Sequence, residues 1–306
     1  MFDKVPVCTA LGAFMSINTE NIAYKSIHDE QSVRDLSTPI VLTIAGSDSG
    51  GGAGIQADIK AISATGSYAC SVITAITAQN TLGVSAIFPI PLEYVEKQLD
   101  AIFTDLNVIA VKVGMLADCD IINIVVAKLK QYKPAFLVVD PVMVTSNGDL
   151  LLQASAISTL KSELLPLADI ITPNLLEGAA LIDCEVPRNE EQMAQMVKEL
   201  RLLGAKATLL KGGHLEQNIN SNDLLILPTK VHHLKAKRIN TRNTHGTGCT
   251  LSSAIASYLA QGNDLLTSVK RGKSYISSAI AHADELNIGE GYGPVNHFFS
   301  GHSDVC

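Results

Sequence analysis

The sequence predicts an α/β fold with a mostly parallel central sheet covered by helices on both faces. Three observations predict it. From residue 38 onward, short β-branched apolar runs alternate with amphipathic helical patterns, the signature of successive βαβ units. The apolar runs are continuous rather than alternating with polar residues, as in strands buried on both faces. Glycine-rich, acidic and lysine-containing motifs follow directly after these runs, at the carboxyl ends where open parallel sheets bind ligands.

The first strand is expected at residues 40–45, followed by a glycine-rich stretch and a helix at 55–65. Strands at 70–77 and 84–88 precede a helix at 92–105. A strand at 108–113 leads to a helix at 118–132, and a strand at 136–140 to a helix at 154–165. A strand at 169–172 is followed by helices at 175–182 and 190–203, and then by a strand at 207–211. Two short runs at 224–227 and 231–235, joined through Pro228-Thr229, read as a hairpin at the end of the sheet. Helices at 251–261 and 265–285 close the domain. With no repeat or linker, residues 38–306 form one domain, and residues 1–37 are an extension outside the fold argument.

Composition narrows the function classes. The chain has 306 residues, 47% hydrophobic and 17% charged, which excludes disorder over most of its length. A net charge of -7 argues against nucleic acid as the main partner. No run of 18 apolar residues exists, so no membrane span is expected. The six cysteines form no CxxC pair and show no zinc-ligand spacing with histidine, which suits a reducing cytoplasm.

Residues 243–251, Asn-Thr-His-Gly-Thr-Gly-Cys-Thr-Leu, are the most informative stretch. Small residues before a helical run leave backbone N–H groups free at a positive helix end, a site for phosphate or an anionic transition state. Cys249 lies in that field, and the helix end is expected to lower its pKa. The glycine loop Gly50-Gly51-Gly52-Ala53-Gly54 fits neither the dinucleotide fingerprint nor the Walker pattern, and by itself says only that a small ligand is near. Asp140, ending an apolar strand before Pro141, suits a magnesium ion shared with nucleotide phosphates, or a turn cap. Asn174 and Glu177 have capping-box spacing. Lys211, flanked by Gly212 and Gly213, could reach a transferring phosphate or lie solvated on the surface. His245 reads as a packing or hydrogen-bonding residue.

Together these motifs resemble the ribokinase-like superfamily, and within it the hydroxymethylpyrimidine/phosphomethylpyrimidine kinases of thiamine biosynthesis. The resemblance rests on residues 43–48 (Thr-Ile-Ala-Gly-Ser-Asp), 51–58 (Gly-Gly-Ala-Gly-Ile-Gln-Ala-Asp), 78–81 (Ala-Gln-Asn-Thr), 112–116 (Lys-Val-Gly-Met-Leu), 140–143 (Asp-Pro-Val-Met), 172–174 (Thr-Pro-Asn), 211–214 (Lys-Gly-Gly-His), 243–249 and 291–298, in order across about residues 38–299. It implies a three-layer α/β/α sandwich, ATP and Mg2+ as cofactors, and a homodimer. It implies an aminopyrimidine pocket at Gly46, Asp58, Thr77, Gln79 and Met115, with Gln79 bonding the ring nitrogen and amino group. Asp140 and Glu177 match the magnesium-side acids. Lys211, Gly212 and Arg242 match the phosphate side, and Gly246, Thr247, Gly248 and Cys249 the catalytic loop, where Cys249 is expected to accept or orient the hydroxyl proton. The implied reaction is phosphorylation of 4-amino-5-hydroxymethyl-2-methylpyrimidine to its monophosphate and then its diphosphate. The alternative is a pyridoxal kinase, and any phosphate contact at Ser146 is open.

Overall fold

The computed structural model describes residues 38–143, 154–213, 215 and 220–300. The 1–37 extension and Ser146 lie outside the described residues. Strand β1 (Ile40–Asp48) pairs in parallel with β2 (Tyr68–Asn80) on one side and with β4 (Val108–Val113) on the other. The parallel run continues through β5 (Phe136–Val139), β6 (Ile170–Ile171) and β7 (Thr208–Leu210). Antiparallel strands close both ends: β3 (Gly83–Pro89) beside β2, then β8 (Asp223–Ile226) and β9 (Val231–Leu234) beyond β7. Among the described residues this makes one nine-stranded sheet, ordered β3-β2-β1-β4-β5-β6-β7-β8-β9.

Alternation along each strand sends side chains to opposite faces, and both faces are buried. Leu42, Ile44, Val111 and Val113 pack with Val95 and Leu99 of α2 (Leu92–Asp105) and with Ile121 and Val125 of α3 (Cys119–Tyr132). Val41, Ala110 and Val138 pack on the other face with Ile62 of α1 (Gly54–Ala64). The same cluster takes in Leu251 and Ile255 of α8 (Thr247–Ala260), and Val269 and Ile276 of α9 (Leu265–Ala281). The three layers expected from the alternating pattern are therefore present.

Element ends differ from the sequence reading where local chemistry intervenes. The expected helix at 154–165 is α4 (Ala154–Thr159), a π-helical turn at Leu160–Leu164 and a 3-10 turn at Leu165–Leu167. Pro166 lacks the N–H that would continue the ladder. After α5 (Leu175–Ile182), the expected helix at 190–203 divides into α6 (Glu190–Gln195) and α7 (Val197–Arg201). Most consequential, α8 starts at Thr247 and not at 251, with Gly246 as N-cap at φ 79°. Residues read as a loop before the helix are its first turn, because apolar periodicity does not reach across Thr247, Gly248 and Cys249.

Candidate active site

Strands β1, β4, β5, β6 and β7 end on the same edge, and the chain just beyond each end carries a polar group into one crevice. Asp140 follows β5 and is 1% exposed. Its Oδ1 accepts from Lys211 Nζ at 2.9 Å and from Thr172 Oγ1 at 2.8 Å. A Cβ built on Gly248 would lie 3.2 Å from Lys211 Nζ and 3.3 Å from Asp140 Oδ2. The lysine, the acid and the first turn of α8 thus share one spot. Burial alone would raise the Asp140 pKa, but the ammoniums of Lys211 and Lys112 outweigh it and hold the carboxyl below its usual value. Desolvation would lower the Lys211 pKa, but Asp140 and Glu177 outweigh it and raise it, so the lysine is charged.

Glu177 caps α5. Its Oε2 accepts from Asn174 N at 2.7 Å, while Asn174 Oδ1 accepts from Glu177 N at 2.9 Å. That is the capping box expected from spacing, yet the carboxylate is also only 4% exposed. Burial pushes its pKa up to about 7, with the Asp140 charge adding and Lys211 opposing.

The Cys249 thiol moves opposite to the sequence expectation. Desolvation pushes its pKa up to about 11, aided by the Asp58 and Asp140 carboxylates and opposed by Lys112 and by the Gly54 N–H. The loss of water outweighs Lys112 and the Gly54 N–H, although the residue keeps intermediate exposure. At neutral pH it is a thiol.

On the other side of the 246–249 turn lies a second cluster. A Cβ on Gly46 would meet Met115 Sδ at 3.3 Å, so the backbone of β1 and the Met115 thioether are in contact there. Thr77 Oγ1 lies 2.8 Å from Ser47 O and 3.1 Å from Gln79 Oε1. Gln79 Nε2 lies 3.3 Å from His245 Nε2, which lies 3.0 Å from Asp48 Oδ2. Gly246 is pressed against the β1–α1 loop: a Cβ there would stand 1.8 Å from Gly52 O. One segment, 245–248, therefore touches the Gln79 cluster at one end and the Lys211–Asp140 pair at the other.

Comparison with known proteins assigns the chain to a family. The phosphomethylpyrimidine kinase family model matches residues 48–296. The chain belongs to the phosphomethylpyrimidine kinase family. It is 48% identical over 257 residues to the hydroxymethylpyrimidine/phosphomethylpyrimidine kinase of Escherichia coli, covering 84% of this chain and 96% of that one. It is 50% identical over 261 residues to that of Rhizobium meliloti, covering 85% and 97%. Among solved structures, phosphomethylpyrimidine kinase from Clostridium difficile superposes with a TM-score of 0.70 at 44% identity, covering 79% of this chain and 99% of that one. The ADP complex of Bacillus subtilis pyridoxal kinase gives a TM-score of 0.79 at 33% identity, covering 85% and 98%. The fold is ribokinase-like.

Two of the residues matched to the phosphomethylpyrimidine kinase pattern, Asp58 and Gly212, have their hydrogen-bonding groups committed within the protein. Asp58 is 0% exposed. Lys112 Nζ donates to both its oxygens at 2.8 Å, Thr43 Oγ1 to Oδ2 at 2.6 Å and Ser253 Oγ to Oδ1 at 2.7 Å. Asp58 thus ties α1, β1, β4 and α8 together beneath the site and has no free face for a pyrimidine. The Gly212 N–H donates to Asp223 Oδ1 at 2.9 Å, so it has no hydrogen to offer a phosphate. Arg242 is exposed, with its backbone carbonyl accepting from Thr244 N. Conversely, sequence reasoning gave no role to Lys112, Asp48 or Ser252, whose Oγ lies 3.5 Å from Asp140 Oδ2. A lysine inside an apolar strand, at Lys112, was the available signal for the first.

Proposed function

We propose that this kinase transfers the γ-phosphoryl group of ATP to the hydroxymethyl oxygen of 4-amino-5-hydroxymethyl-2-methylpyrimidine, and then phosphorylates the monophosphate to the diphosphate, in thiamine biosynthesis. One observation carries the reading. The 245–248 segment contacts the Gln79 cluster through His245 and the Lys211–Asp140 pair through Gly248, so acceptor pocket and phosphoryl site are a few residues apart.

In this reading Gln79 pairs with the ring nitrogen and amino group, and Gly46 and Met115 form a wall that admits a flat ring. Backbone N–H groups of the first turn of α8 hold the transferring phosphoryl, and Lys211 neutralises charge on its oxygens. Asp140 and Glu177 suit magnesium: both are hard oxygen donors, and a cation between them would relieve the repulsion and burial that push up the Glu177 pKa. Bound there with nucleotide phosphates, the ion supplies charge neutralisation. Among the described residues no group of three or more acidic, histidine or cysteine side chains could hold a metal by itself, so phosphate oxygens would complete the shell. Cys249, a thiol at neutral pH, orients the substrate hydroxyl and does not act as a pre-formed base. As the new P–O bond forms, the bond to the departing ADP oxygen breaks and the hydroxyl proton passes to a phosphate oxygen or to water.

The same proposal includes a homodimer and a cytoplasmic setting. Ile76 and Phe88 pair across β2 and β3, the two outermost strands on that side of the sheet, and are 50% and 63% exposed, which suits a subunit contact. The described cysteines Cys70, Cys119, Cys184 and Cys249 are free, and no described helix is long and apolar enough to cross a membrane.

Likeness to solved pyridoxal kinases supports a second reading, phosphorylation of pyridoxal. Incubation of the purified protein with ATP, magnesium and each acceptor, followed by mass spectrometry, tests both. A monophosphate of the aminopyrimidine that proceeds to a diphosphate is the expected result. Phosphorylated pyridoxal with no pyrimidine product would refute it.

A further inference from the structure

The hydrogen-bond network around Gln79 fixes more than its position. Asp48 Oδ2 accepts from Gly52 N at 2.9 Å and Ala53 N at 2.8 Å, and its Oδ1 from Gly50 N at 2.8 Å. Burial alone would raise the Asp48 pKa, but the His245 bond and these N–H donors outweigh it, so the group is a carboxylate. Asp48 Oδ2 lies 3.0 Å from His245 Nε2, and two lone pairs cannot face each other at that distance, so Nε2 carries a proton. On the other side, the single Thr77 proton goes to Ser47 O at 2.8 Å, the shorter of its two contacts.

These two facts decide the amide. With Nε2 of Gln79 toward His245, an N–H faces an N–H at 3.3 Å. With Oε1 toward Thr77, an acceptor faces a hydroxyl whose proton is committed. A half-turn about the terminal bond lets the amide nitrogen donate to the Thr77 hydroxyl oxygen, and turns the amide oxygen toward the His245 Nε2 proton, which it shares with Asp48 Oδ2. We propose that the Asp48–His245 pair locks the Gln79 amide with its oxygen toward His245 and its nitrogen toward Thr77, making His245 a positioning residue for acceptor selectivity.

This inference rests on the aminopyrimidine reading, and the lock gives that reading its selectivity. The amino group of the acceptor donates and the adjacent ring nitrogen accepts. An amide in the right order meets both, and a reversed amide sets like against like twice. Pyridoxal carries an aldehyde oxygen, an acceptor, on the ring carbon next to its hydroxymethyl-bearing carbon, where the pyrimidine has its amino group. A locked amide favours the pyrimidine, because a polar pocket group left unpaired strongly disfavours the analogue.

The test compares His245→Gln with His245→Asn in the full-length enzyme. Glutamine keeps an N–H donor where Nε2 stands, asparagine withdraws it, and both lose the ring equally. His245→Asn is expected to raise KM for the aminopyrimidine roughly tenfold or more over His245→Gln. The kcat, KM for ATP and any pyridoxal turnover should change alike in the two variants. Equal aminopyrimidine KM values in the two variants would overturn the lock while leaving the substrate reading intact. No turnover of the pyrimidine by the wild-type enzyme would overturn the substrate reading and the inference with it. A readout free of variants is the 15N spectrum of the histidine rings: a proton on His245 Nε2 is expected, and a bare Nε2 overturns the proposal even if both variants fail to fold.

Discussion

Replacing Lys112 with methionine should destabilise the protein more than any surface change, and the size of the effect follows from the geometry. The Lys112 and Asp58 side chains are each 0% exposed, with Nζ 2.8 Å from both carboxylate oxygens. Methionine fills the aliphatic volume of lysine but removes the charge. Asp58 would keep Thr43 and Ser253 as donors and lose its counter-charge. Breaking a buried ion pair from one side costs about 3–5 kcal/mol, since the remaining charge stays out of water. At about 2–4 °C per kcal/mol for a domain of this size, the midpoint of thermal unfolding should fall by roughly 6–20 °C. Urea unfolding at neutral pH measures the free energy directly. The double variant Lys112→Met with Asp58→Asn should recover part of the loss, because the neutral amide carries no stranded charge and still pairs with the Thr43 and Ser253 hydroxyls. A loss under about 1 kcal/mol in the single variant, or a double variant less stable than Lys112→Met alone, would refute the view that this pair is a desolvated tie beneath the site.

Three further outcomes are expected. Cys249 alkylation by iodoacetamide should be slow at neutral pH and accelerate toward pH 11, following the raised thiol pKa; fast reaction at pH 7 would restore a thiolate. Gly246→Ala should abolish activity and cost more than about 3 kcal/mol in urea unfolding, since φ is 79° and the new Cβ would meet Gly52 O at 1.8 Å; wild-type turnover would show that the α8 cap can move. Glu177 has a folded pKa raised from 4.5 to about 7, so between those values the folded state keeps a proton that the unfolded state has released. Its stabilisation is full below pH 4.5 and lost as pH rises through 7, by up to about 3 kcal/mol, and urea unfolding of Glu177→Gln should lack that component of the slope.

The sequence by itself determined the three layers and the sheet edge at which the candidate site lies. Continuous apolar runs can be buried only with helices on both faces, and the motifs after residues 45, 113, 139, 171 and 210 fall at one edge once the strands are parallel. The Asn174–Glu177 capping box was legible because it is a local pattern with fixed spacing. Tertiary structure alone decided matters that depend on distant partners. Asp58 looked like a pocket residue until Lys112, 54 positions away in sequence, took both its oxygens. Gly212 looked like a phosphate donor until Asp223 claimed its N–H. The thiol of Cys249 was expected to ionise readily from its place at a helix end. Its pKa rises instead because desolvation depends on everything packed around the sulfur, and a linear pattern does not contain that environment. Periodicity and turn chemistry act over a few residues and can be read along the chain, whereas charge compensation and burial act through space and exist only once the chain has folded.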